Sequence, residues 1–124
     1  MKPRAVDFVV YSVTDMDRSE AFYRDVLGLE VEVARGEPGT RAADYMELDA
    51  GGTALALGVP PEPFRNAIVA LAVEDVGEAV EELRGKGVPI QMEPIETPVC
   101  FMALVTDPDG NQIMLHQRKD GTAG

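Results

Sequence analysis

The chain repeats itself, and this constrains its fold more than any other feature. Val13-Thr14-Asp15 lies 60 residues before Val73-Glu74-Asp75, and Leu48-Asp49-Ala50-Gly51-Gly52 lies 58 before Thr106-Asp107-Pro108-Asp109-Gly110. A period of this length means that each copy is one supersecondary unit, and its neighbour must help to bury its apolar face. Within each copy the pattern reads strand, helix, strand, hairpin. Asp7–Val13 is short, β-branched and aromatic, as a strand should be. Asp15 can cap a helix whose apolar positions Met16, Phe22, Tyr23, Val26 and Leu27 recur at helical spacing, and Gly28 ends it. Leu29–Val33 is a strand, and Tyr45–Leu48 with Thr53–Leu57 is a hairpin. After Pro60-Pro61-Glu62-Pro63, a stiff connector, the order starts again. Ala67–Val73 is a strand and Asp75 caps a helix with Val76, Ala79, Val80 and Leu83 on one face. Gly87 closes that helix, Pro89–Met92 opens a strand, and Phe101–Val105 pairs with Gln112–His116.

The predicted fold is therefore α+β, with two tandem βαβββ modules forming a curved mixed sheet around a cavity. One domain spans 1–118, with module one at about 5–58, a proline-rich connector at 59–65 and module two at about 66–118; residues 119–124 are expected to be a disordered tail. A chain of 124 residues is long enough to bury a core of its own. Eleven basic against 22 acidic side chains give a formal charge of −11, which speaks against a nucleic-acid or anionic-membrane partner and leaves neutral or cationic small molecules. The single cysteine, Cys100, allows neither an intrachain disulfide nor a thiolate zinc cage. With no signal-like N-terminus and no apolar run of membrane-spanning length, a cytoplasmic location is expected.

The opening Val13-Thr14-Asp15-Met16-Asp17-Arg18-Ser19, followed by Phe22-Tyr23 and Val26-Leu27-Gly28, and the closing Asp107-Pro108-Asp109-Gly110-Asn111 resemble the vicinal oxygen chelate superfamily of glyoxalases, extradiol dioxygenases and bleomycin-resistance proteins. The resemblance implies paired βαβββ modules around a cavity, commonly in homodimers. It also implies a divalent metal held by His, Gln or Glu at four positions, which here are Phe8, Ala56, Ile68 and Met114. None of these offers the oxygen or imidazole donor that such an ion requires. A one-residue slip of the first strand would present Asp7, but it would turn Val10 outward with every other side chain. No cofactor is therefore expected.

With Phe8 inward, alternation predicts a ligand-cavity lining of Phe8, Val10, Ser12, Ala54, Ala56, Ile68, Ala70, Ala72, Gln112, Met114 and His116, while Val9, Tyr11 and Val13 pack against the helices. This lining is apolar with a few orienting polar groups, the usual character of a small-molecule site. Two catalytic candidates stand out. His116 is the only histidine and reads either as a ligand partner or general base or as a satisfied rim residue. Glu47 reads either as a cavity carboxylate or as a solvent-facing strand residue. Cys100 borders a strand as a packing residue, and Met46, Met92, Met102 and Met114 read as an adaptable wall or as core filler. The expected protein is thus a metal-independent binder of a small apolar or cationic molecule. The alternative is an enzyme of the same fold, using displaced ligands or metal-free acid–base chemistry.

Overall fold

The computed structural model describes residues 1–124, which form two compact units: residues 8–67, and residues 1–7 together with 68–124. Each unit carries one copy of the repeat. In the first, β1 (Ala5–Ser12) pairs in parallel with β4 (Ala54–Gly58), which runs antiparallel to β3 (Tyr45–Asp49), itself antiparallel to β2 (Glu30–Val33). In the second, β5 (Ala67–Ala72) pairs in parallel with β8 (Gln112–Arg118), then β7 (Cys100–Thr106) and β6 (Ile90–Glu96) follow antiparallel. The two strand orders match element for element, so the α+β class and the βαβββ repeat hold as predicted. The first residues of β1 lie with the second unit, where the Arg4 amide donates to the Ala72 carbonyl at 2.8 Å.

The helix starts follow from their caps. The Asp15 carboxylate accepts from the Arg18 amide at 3.1 Å, opening α1 (Met16–Glu20), and Asp75 accepts from Glu78 at 2.9 Å, opening α2 (Val76–Gly85). Each cap satisfies an amide that has no partner inside its helix. Gly28 and Gly87 take φ of +78° and +79°, where only glycine sits without strain. The first helix departs from prediction. Beyond Glu20 it continues as a π-helix, Ala21–Val26, and the Leu27 amide reaches back to the Phe22 carbonyl. The wider turn changes the helical phase. Tyr23 still packs on the core, with the Phe22 ring edge-on to it at 5.3 Å, but Phe22, Val26 and Leu27 lie exposed.

Each helix covers one face of the strands in its own unit. Met16 packs with Met46, Leu48 and Leu57 in the first unit. Val76, Ala79 and Val80 pack with Ala103, Val105 and Leu115 in the second. Met46 is thus core beneath α1 rather than part of a cavity wall. Tyr11, expected against the helices, is 43% exposed, and Cys100 is the buried first residue of β7, its Sγ 3.1 Å from Thr97 Oγ1.

Residues 119–124, expected as a disordered tail, make defined contacts within the second unit. The Lys119 amide donates to Val99, both Arg4 Nη atoms donate to the Gly121 carbonyl at 3.3 Å, and the Gly124 amide donates to Asp7 Oδ1 at 2.8 Å.

Candidate functional site

In the first unit, register places Phe8 beside Ala54, Val10 beside Ala56 and Ser12 beside Gly58, with Glu47 across from Ala56 and Tyr45 across from Gly58. These residues share the sheet face turned away from α1, because Met46, Leu48 and Leu57 occupy the other. The strand phase assumed from the sequence therefore holds for Phe8, Val10, Ser12, Ala54 and Ala56. Ser12 turns its hydroxyl to the Asn66 carbonyl at 2.8 Å, and the Tyr45 hydroxyl donates to Glu47 Oε2 at 2.8 Å. Glu47 is half-buried on this face.

In the second unit, Ala70 lies beside Met114 and Ala72 beside His116. Leu104 and Met102 face Met114 and His116 from β7, and Thr106 faces Gln112. Ile68 falls on this face by alternation with Ala70. Here too the face is the one that α2 leaves uncovered, yet Ile68, Ala70, Met114, Gln112 and His116 are all buried. Gln112 donates from Nε2 to Gln91 Oε1 at 2.9 Å.

The residue that sequence reasoning missed is Asp7. Its side chain is 0% exposed, with Oδ2 2.6 Å from His116 Nδ1 and Oδ1 3.5 Å from the Arg118 guanidinium. Oδ1 also accepts from the Gly124 amide. The first strand does not slip in register, since Phe8 keeps its place beside Ala54. Asp7 nevertheless reaches His116, because the start of β1 belongs to the second unit. One signal was available: an aspartate inside an otherwise β-branched, aromatic strand is rare, and a buried carboxylate must be paired.

Chemically, this cluster fixes an imidazole. An ionised carboxylate only accepts, so the contact with Asp7 favours a ring that carries a proton on Nδ1. The main chain here is anchored as well, since the His116 carbonyl accepts from the Val73 amide at 2.9 Å. Elsewhere in the chain, an open groove of about 820 Å³ in the first unit is bordered by Asp17, Glu20, Arg35 and Arg41. Arg35 donates there to Asp17 at 2.6 Å, to Glu20 at 3.4 Å and to the Ala43 carbonyl at 2.7 Å; Asp17, through its hydrogen bond, is the main cause holding its guanidinium above the ordinary value. This ion pair ties the loop after β2 to α1.

Residues 5–115 match the family model described as Glyoxalase/Bleomycin resistance protein/Dioxygenase superfamily. A lactoylglutathione lyase of Salmonella typhimurium is 31% identical over 123 residues, covering 90% of this chain and 91% of that protein. Among solved structures, a hypothetical protein of Bacillus halodurans superposes with a TM-score of 0.71 at 18% identity, covering 96% of this chain and 97% of that one. The Mn(II)-bound glyoxalase of Novosphingobium aromaticivorans superposes at 0.66 with 24% identity, covering 99% of this chain and 41% of that one. The chain belongs to the glyoxalase/bleomycin resistance protein/dioxygenase superfamily.

The positions that the family resemblance assigns to metal ligands carry a phenyl ring, two alkyl groups and a thioether, at Phe8, Ala56, Ile68 and Met114. That donor set does not fit a hard divalent ion. Among the described residues, no group of three or more His, Cys, Asp or Glu side chains is placed to hold one. No helix is long and apolar enough to cross a membrane.

Proposed function

We propose that this chain is a metal-independent, small-molecule-binding member of its superfamily, taking a small apolar or cationic guest. The observation that carries this reading is the replacement of all four expected ligand positions by hydrocarbon-like side chains on helix-distal sheet faces. Apolar walls with few polar groups suit such a guest, with Ala54 and Ala56 leaving room in one unit and Gln112 and His116 offering polar contacts in the other. The charge of −11 raises the local concentration of cations.

Native mass spectrometry of freshly purified, untagged protein, with metal analysis and calorimetry against a panel of cationic and neutral compounds, tests the proposal. A metal-free protein that binds a panel member supports it. Stoichiometric metal overturns it, as does failure to bind across the panel. The same spectrum reads the homodimer that the resemblance implies.

A second reading is favoured by one specific contact, the 2.6 Å approach of Asp7 to His116. Here the chain is a metal-free acid–base enzyme, with His116 moving a proton and Asp7 orienting it. Turnover of methylglyoxal and glutathione after exhaustive chelation, abolished by His116→Ala, would move this reading to first place. Its absence, with or without added Ni²⁺, Mn²⁺ or Fe²⁺, leaves lyase chemistry without support.

A further inference from the structure

Across the four strands of the first unit, register lines up Val33 of β2, Glu47 of β3, Ala56 of β4 and Val10 of β1 in one row on the helix-distal face. One carboxylate thus stands in a line of hydrocarbon. The neighbouring row continues the apolar ground with Ala54 and Phe8. Glu47, Val10, Phe8 and Ala54 are half-buried, sheltered yet reachable, and Ala56, between Glu47 and Val10, is buried. A carboxylate placed among apolar side chains needs a partner for its charge. The chain supplies a neutral one: the Tyr45 hydroxyl donates to Oε2 at 2.8 Å, and none of the chain's ion pairs includes Glu47. That hydroxyl fixes where the carboxylate points without cancelling its charge.

We propose that Glu47 is the anchor for a protonated primary amine, with the ammonium group on Oε1 and the hydrocarbon part over Ala56 and Ala54, against Val10 and Phe8. This narrows the guest proposed above to one chemical class, and it rests on that reading. Two arguments select the class. An ammonium donates to a sheltered carboxylate through a charge-assisted bond, which is stronger than one from a neutral donor. A guanidinium grips a carboxylate best through both oxygens, and Tyr45 already holds one of them; an ammonium is a compact point charge that needs only the other. The size of the guest follows from sheet geometry. β3 and β1 lie two strand spacings apart, about 9–10 Å, so a short alkyl chain reaches from Glu47 to the side of Val10 and Phe8.

The test is calorimetry and methyl NMR of the full chain at neutral pH with n-hexylamine, which is protonated there, and with its neutral counterpart n-hexanol. The amine is expected to bind and to move the methyl resonances of Val10, Ala54 and Ala56, and the alcohol to bind about tenfold more weakly or worse. Glu47→Gln keeps the side chain's shape and an acceptor for Tyr45. It should weaken the amine by about tenfold and leave the alcohol unchanged. Glu78→Gln removes the same charge from the exposed surface of α2 and should change neither. Unchanged amine affinity in Glu47→Gln overturns the proposal. Equal loss in the Glu47 and Glu78 variants does so too, since the attraction would then be one of net charge. So do unmoved Val10 and Ala54 methyls at saturating amine, a readout that needs no variant. Equal affinity for amine and alcohol overturns the anchor but leaves an apolar guest standing. If neither compound binds, the amine proposal fails, and the wider reading is decided by its own panel.

Discussion

Removing the Asp7 carboxylate should be among the most damaging single substitutions in the second unit. The side chain is 0% exposed and faces His116 at 2.6 Å and Arg118 at 3.5 Å, and it accepts the Gly124 amide. Asp7→Ala leaves the buried His116 Nδ1 without its partner, at roughly 1–3 kcal/mol. Arg118, partly exposed, and Gly124, exposed, can turn to solvent and add little. With a urea slope of roughly 1.5 kcal/mol/M for a small protein, the unfolding midpoint should fall by about 1–2 M. Asp7→Asn keeps an acceptor of the same shape and should lose less. His116→Ala and the double variant complete a thermodynamic cycle, and residues in direct contact should couple by about 1–3 kcal/mol. A midpoint shift under about 0.5 M for Asp7→Ala, or additive single effects, would show that the 2.6 Å contact contributes nothing.

Three other outcomes are expected. Gly36→Ala should destabilise the first unit by about 1–3 kcal/mol in urea unfolding, since its Cβ would lie 2.3 Å from Ala42 Cβ where the Gly36 amide bonds the Ala42 carbonyl. A wild-type midpoint would refute this. Asp75→Ala removes the cap of α2 and should cost about 1 kcal/mol by the same measurement, with Asp75→Asn close to neutral. The Asp107 carboxyl is held below its ordinary 3.8, mainly by the side-chain hydrogen bond from Asn111. Its folded value lies under its unfolded one, so the turn's support is complete above the ordinary value and fades as pH falls through the lower, folded value. A carboxyl NMR titration should show that low midpoint, with Asn111→Ala raising it; an unchanged midpoint in the variant would refute the assignment.

What the sequence discloses here is local or periodic. The repeat fixes the topology, Asp15 and Asp75 fix the helix starts, and strand alternation puts Phe8, Ala56, Ile68 and Met114 on the helix-distal faces. These arise from interactions within a few residues, or from a period of two. The π-turn at Ala21–Val26 is not legible in that way, because apolar spacing alone does not reveal an extra residue per turn. Phe22, Val26 and Leu27 consequently face outward against expectation. Asp7 escapes for a different reason: its partners His116, Arg118 and Gly124 lie more than a hundred positions along the chain, and alternation within β1 carries no information about them. Of the two catalytic candidates, His116 gains a buried carboxylate partner, whereas Glu47 meets only the hydroxyl of Tyr45.

The border between the units does not fall at a single cut. Since the first seven residues lie with the later half, a gene fragment starting at the connector would encode β5 to β8 and α2 but omit Arg4 and Asp7. Such a half-protein would leave the imidazole of His116 facing no carboxylate. A circular permutant that opens the chain near residue 66 and joins the old ends keeps the heptapeptide but tethers Gly124 to Met1 through new linkage. Dissecting this protein into its two repeats therefore calls for grafting residues 1–7 onto the second by a linker, since division at the proline-rich segment separates partners that the fold keeps together.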